Sequence, residues 1–283
     1  MAAQQQTQSA WDRIAAGYDQ FATPLATRLA EDALRLVDVG SGTRLLDVAA
    51  GSGALSIPAA RLGARVLATD ISPAMIQRLQ ARARAEGLSN LEGRVMDGQA
   101  LELEDDSFDV CGSVNGVSLF PDLARGLGEL VRVCRPEGEV LIVAQGPPHK
   151  AEFLGFFLSA LRACVPGFTG PPMDPPPLPF QLADPKRLHQ ELSDAGLAEV
   201  RVQTSTWQME FRSAAHFWDV VTNSNPIGQA MIADLPEAQR TDVKKVLDGM
   251  LRERSGGGPT AVLTTEVNVG IGVKSGSKGA GNE

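Results

Sequence analysis

The chain has 283 residues, 43% hydrophobic and 21% charged, a balance typical of soluble globular proteins and enough length for one domain with an insertion or two small domains. A formal net charge of −8, with no run of Lys or Arg, argues against a protein that holds nucleic acid on a basic surface. Cys111, Cys134 and Cys164 are widely spaced and form no CxxC pair, so neither structural zinc nor a disulfide framework is expected; with no signal peptide and no membrane-length apolar run, a reduced cytoplasm is the default expectation.

Met1–Ala10 is polar and glutamine-rich and reads as a frayed start, and Trp11–Leu36 has a helical pattern interrupted near Gly17 and Pro24. Arg44–Ala49 is short and apolar, as a buried parallel strand is. Gly51-Ser52-Gly53 lets the backbone turn sharply and approach a ligand, and Ala54–Leu62 follows as a helix whose first N–H groups lack intrahelical partners. Arg65–Thr69 is a second strand with Asp70 at its C-terminal end, where a carboxylate can accept both hydroxyls of a ribose. Ser72 caps and Pro73 opens a helix that runs to Glu86 and stops at Gly87. Leu91–Met96 is a third strand, Leu101–Ser107 an acidic loop, and Phe108–Asn115 a fourth strand. Pro121–Val133 is a helix, Arg135–Gly138 a turn, and Glu139–Ala144 the fifth strand. Strands alternating with helices in this way specify a doubly wound parallel sheet. Right-handed crossovers then collect Asp47–Gly53, Asp70, Asp97 and Asn115 on one edge.

The second half reads differently. His149–Val165 is expected to be a helix, Pro166–Pro179 a stiff proline-rich segment, and Asp184–Ala195 a helix capped by Asp184 and ended by Gly196. Glu199–Phe211 and Ala261–Val273 read as strands, separated by Arg212–Pro259, about as long as a small helical subdomain. The division expected is a helical lid at 1–36, a cofactor-binding core at 37–211 and 260–274, a helical cap at 212–259, and a disordered glycine- and serine-rich tail at 275–283.

Two nucleoside cofactors compete for the glycine turn. A dinucleotide site wants G-x-G-x-x-G, but Ser56 stands in the third glycine's place. Asp47, just before the turn, would repel a pyrophosphate and welcome a cationic amino acid. S-adenosylmethionine carries no phosphate but has an ammonium and a sulfonium. Here the chain resembles the class I S-adenosylmethionine-dependent methyltransferases, whose first motif is (D/E)-x-x-x-G-x-G, matched by Asp47, Gly51 and Gly53 with Asp70 as the ribose acid. The resemblance implies a Rossmann-like, seven-stranded sheet, parallel except for a last strand that enters antiparallel between the fifth and sixth. It also implies that Asp47, Ala49, Gly51, Ser52 and Gly53 hold the amino-acid end of S-adenosyl-L-methionine, and that no metal is used.

Further positions follow from the same resemblance. Ile71, after the ribose acid, and Met75, on the next helix, would pack on the adenine, although either could equally be core. Asp97 would hold the adenine amino group with the backbone beside Gly98, the alternative being a simple Asp-Gly turn. Val114 and Asn115 would pass under the methionine part and face the substrate, unless Asn115-Gly116 is only a turn. The run W-D-R-I-A-A-G-Y-D-Q-F-A at Trp11–Ala22 is similar to the N-terminal helix of ubiquinone- and menaquinone-biosynthesis methyltransferases, which implies that Tyr18 approaches the methyl-donor end. His149 and His216 are the other candidates for a base; His189 is a weaker one. Aromatics concentrated in the second half suggest an apolar or aromatic small-molecule acceptor, methylated at oxygen or carbon under a mobile cap. An NAD(P)-dependent oxidoreductase and a non-catalytic cofactor-binding protein are the rival readings.

Overall fold

The computed structural model describes residues 2–172 and 176–276. Its centre is a seven-stranded sheet: β1 (Arg44–Val48), β2 (Arg65–Asp70), β3 (Leu91–Val95), β4 (Phe108–Val114), β5 (Cys134–Gln145), β6 (Leu197–Phe211) and β7 (Ala261–Lys274). The strand order is β3-β2-β1-β4-β5-β7-β6, and β7 runs antiparallel to both β5 and β6, while the other pairings are parallel. The expected fold class is therefore what the chain adopts. The order reverses between β1 and β4, the switch point where open α/β sheets bind ligands beyond the strand C-termini.

Alternation along the strands builds a core on each face. Leu46, Leu67 and Ile142 face one side with helices α5 (Leu123–Val133) and α7 (Pro185–Asp194); Leu45, Val66 and Leu141 face the other with α2 (Thr23–Leu34) and α3 (Ser56–Arg61). The first unit closes with α4 (Pro73–Ala85), whose capping Ser72 side chain accepts from the Met75 N–H; Asp184 caps α7 in the same manner. After β5 comes α6 (Glu152–Cys164), and α8 (Ala214–Asn223), α9 (Pro226–Ile232) and α10 (Glu237–Arg254) fill the interval between β6 and β7. A third core cluster joins Phe157 of α6, Phe211 of β6, Phe217 and Trp218 of α8, and Val243 and Leu247 of α10.

Three local expectations need correction. The N-terminal segment is not frayed: α1 spans Ala2–Gly17 and continues through a π-helical turn, Tyr18–Ala22, into α2. The R-P-E-G stretch lies inside β5 as a bulge, with Glu137 at φ +62°, because Phe108 pairs with Cys134 while Val110 already pairs with Glu139. Helix α3 begins at Ser56, not Ala54, since Gly51 at φ +55° and Gly53 at φ +97° keep the turn left-handed. The end of the tail, 277–283, lies outside the described residues. Among the described residues no helix is long and apolar enough to cross a membrane.

Candidate functional site

Asp47 ends β1 only 1% exposed and accepts from the Ser56 hydroxyl at 2.5 Å, so the first turn of α3 orients it. Asp70 ends β2, 8% exposed, and accepts from the Gly51 N–H at 2.8 Å and the Ser72 N–H at 2.9 Å. The Asp70 carboxylate thus ties the glycine turn to the start of α4. Ser52 is buried in that turn, its hydroxyl 2.6 Å from that of Thr23. Burial pushes the Asp47 carboxyl up to about 7, opposed by the Ser56 hydrogen bond and assisted by Asp70. Burial likewise raises Asp70 to about 6, with Asp12 adding to it. Among the described residues no cation is paired with either acid; the charges that act on them are other carboxylates.

The turn is strained on the strand side as well. Ala49 (φ +56°) and Asn115 (φ +56°) are both left-handed, at the ends of the adjacent strands β1 and β4. A Cβ at Gly116 would lie 2.6 Å from the Ala49 Cβ, so the two strand ends are packed together. The Asn115 amide oxygen meets the Gln145 amide nitrogen at 3.5 Å, and Val114 is 8% exposed.

On the other side of the cradle, Ile71 and Asp97 share a pocket of about 520 Å³ with Met96, Val95, Gln8 and Arg125. Asp97 also accepts from the Gln99 N–H at 2.9 Å, so it does close a local turn. Gly98 is roofed by Phe120, whose ring would stand 2.4 Å from a Cβ there. Met75 is 1% exposed and offers no surface to this pocket. A larger groove of about 800 Å³, around Arg44, Arg65 and Arg94, contains none of the expected site residues.

Of the candidate catalytic groups, only Tyr18 is brought to the cradle. Its ring lies on Gly51, 3.0 Å from the position of a Cβ, and burial followed by the charges of Asp70 and Asp47 pushes its phenol up to about 12. His149 is exposed on a short turn after β5, and His189 is exposed on α7. His216 packs its ring near Phe21 and Phe211, and its Nδ1 accepts from the Arg212 N–H at 3.3 Å. Burial, then Arg212, pushes the His216 imidazole down, so it is neutral near pH 7. The aromatics divide: Phe157, Phe211, Phe217 and Trp218 are core, while Phe153, Phe156, Phe168 and Trp207 keep part of their surface.

Sequence reasoning missed the residues by which α1 roofs the cradle. Asp12 accepts from the Ser72 hydroxyl at 2.5 Å and from the Ala74 N–H at 3.2 Å, at the start of α4. Asp19 pairs with Arg78 at 3.4 Å and Arg82 at 3.7 Å along the same helix. Asp12 and Ala15 share one face of α1 and Asp19 follows in the π-helical turn; the helical pattern from Trp11 onward was legible, but nothing in it says that these acids face α4.

The residues fit S-adenosylmethionine. Two buried acids with no paired cation among the described residues, beside a left-handed glycine turn, suit a ligand that brings positive charge and hydroxyl donors. Residues 46–142 match the family described as a methyltransferase domain. The chain is 36% identical to nocamycin O-methyltransferase of Saccharothrix syringae over 145 residues, 49% of this chain and 50% of that protein. It is 36% identical to demethylmenaquinone methyltransferase of Thermus thermophilus over 121 residues, 42% and 50% of the two chains. The chain spans between 38% and 50% of the length of the curated relatives it matches. Among solved structures, a Haemonchus contortus phosphoethanolamine N-methyltransferase, in complex with phosphomonomethylethanolamine and S-adenosylhomocysteine, shares the fold at TM-score 0.54 and 18% identity, covering 88% of this chain and 53% of that one.

Proposed function

We propose that this chain, whose core is a class I S-adenosylmethionine-dependent methyltransferase domain, methylates a small apolar or aromatic molecule at oxygen or carbon. The observation that carries the reading is the pair Asp47 and Asp70, buried without a cation at the switch point of the sheet. In this reading Asp47, Ala49, Gly51, Ser52 and Gly53 hold the amino-acid end, Asp70 the ribose, and Asp97 with Gly98 and Ile71 the adenine. Met75 supports that wall from within the packing, and Val114 and Asn115 floor the methionine part. Bound there, the cofactor supplies an electrophilic methyl group on a sulfonium.

The protein's share of the chemistry is positioning and exclusion of water. Tyr18 is the candidate at the donor end, because α1 and its π turn set the ring on Gly51. Residues 1–36 serve as the lid, 37–211 and 260–274 as the core, and 212–259 as the cap. Support for a small-molecule acceptor comes from the names of two relatives, one an O-methyltransferase and one acting on demethylmenaquinone, and from the partly exposed aromatics beside the cap core. A net charge of −8 fits the absence of a nucleic-acid partner in this proposal.

Isothermal titration with S-adenosylhomocysteine and with NAD tests the reading. Binding of S-adenosylhomocysteine that Asp70→Ala weakens by about tenfold or more supports it, a loss on the scale of hydrogen bonds to a charged group. NAD binding without S-adenosylhomocysteine binding overturns it.

A further inference from the structure

We infer that Gln8, on the N-terminal helix, is a cofactor-recognition residue that reads the hydrogen-bonding edge of the adenine; the inference rests on the S-adenosylmethionine site proposed above. Its basis is the way α1 is fixed in rotation. Gln8, Asp12 and Ala15 stand at i, i+4 and i+7 on one face of α1, and Asp19 follows in the π-helical turn. Asp12 is bonded to Ser72 and Ala74 at the start of α4, Ala15 is 1% exposed, and Asp19 is paired with Arg78 and Arg82 further along α4. With α1 held at Asp12 and the turn after it at Asp19, the residue one turn before Asp12 lines the pocket shared by Ile71, Met96 and Asp97.

That pocket, about 520 Å³, has the size of a small-ligand site. A base alternates an amino donor with ring-nitrogen acceptors around its rim, so beyond the part given above to Asp97 and the Gly98 backbone it presents further donor and acceptor atoms to the wall. A glutamine amide offers one donor end and one acceptor end in a plane, the match by which Gln and Asn read adenine edges in nucleic acids. The charged Glu102 and Arg125 of the same pocket each offer only one of the two. Gln8 is partly buried, so its amide is confined without being sealed from the pocket.

The test uses the full chain and four probes: S-adenosylhomocysteine, 5′-methylthioadenosine, and the counterpart of each in which hypoxanthine replaces adenine. Affinities are measured by titration for wild type, Gln8→Leu and Gln8→Glu, with melting temperatures as a check on folding. Wild type is expected to prefer adenine to hypoxanthine. Gln8→Leu is expected to weaken both adenine probes by about fivefold to tenfold and to narrow the base preference by a similar factor, the range of one neutral hydrogen bond. Gln8→Glu, which keeps only acceptors, is expected to lose affinity likewise. A purely structural role for Gln8 would lower the melting temperature and leave the base preference intact. Gln8 variants with unchanged affinity and unchanged preference overturn the inference while the functional reading stands. Failure of the wild type to bind S-adenosylhomocysteine overturns the reading, and the inference with it.

Discussion

Asp47 and Asp70 set the pH behaviour of the site. Burial holds their carboxyls near 7 and 6, against about 4 in an unfolded chain. Between those values the folded state keeps protons that the unfolded chain has lost, so folding takes protons up. The contribution of the pair to stability therefore falls as pH rises from about 4 to about 7. The cationic amino-acid end favours an ionised Asp47 and the ribose hydroxyls an ionised Asp70, so S-adenosylmethionine affinity is expected to rise as pH passes through their folded values of about 6 and about 7. Replacing Asp47 by Asn removes the larger part of the effect. The variant without ligand should gain in melting temperature over wild type as pH increases from about 4.5 to about 8, and its cofactor affinity should rise less steeply. Thermal melts and titrations across that range check both. Equal pH profiles for variant and wild type would mean that Asp47 is ionised throughout.

Among the elements, the N-terminal helix connects the most parts. It lies on α4 through Asp12 and Asp19, and on the glycine turn through Tyr18. It also meets α8: a Cβ on Gly17 would stand 2.1 Å from the Asn223 carbonyl oxygen, and Phe21 lies against His216. By propensity alone, Gly17→Ala would favour the helix by about 1 kcal/mol. The contact with rigid backbone reverses the sign, and a loss of about 1–3 kcal/mol is expected from overpacking. Limited proteolysis within residues 2–34 should accelerate in that variant, and cofactor affinity should fall with it; a more stable Gly17→Ala protein would show that the crossing gives way.

This region also marks where the sequence is least transparent. Five strands and the glycine turn could be read because each short apolar run is bounded by Gly, Asp or Pro, which leaves few alternatives. The stretch A-A-Q-Q-Q-T-Q-S-A has no apolar stripe of its own; the helix it opens is held further on, through Asp12 on α4 and Gly17 on α8, by partners distant in sequence. The late start of α3 was hidden for a related reason, since Ala54 and Leu55 have good helix propensity but follow two left-handed glycines. For Met75, the spacing allowed both wall and core, and its burial at 1% exposed is a feature of packing that no spacing reveals.

At the scale of the molecule, side-chain amides tie the segment before α7 to both the last strands and the first half. Asn268 in β7 is 0% exposed, donates to the carbonyls of Leu182 and Ala183, and accepts from the Thr204 hydroxyl. Gln181, next to Leu182, donates to the carbonyls of Ser118 and Phe120, and Phe120 roofs Gly98. Residues 181–183 are thereby fastened both to the last strand and to the loop that packs on Gly98. Asn268→Leu strands three polar partners and is expected to cost about 2–4 kcal/mol. A denaturant midpoint unchanged from wild type would show that water replaces the amide.

The π turn at Tyr18–Ala22 has a consequence for comparing relatives. A wide turn of this kind holds one residue more than an α-helix would, and each residue rotates a helix by about 100°. A homologue lacking a single residue there would align well by identity, yet would present a different face of its first helix to the cradle. For this N-terminal helix, the gap column of an alignment carries as much information as the letters beside it.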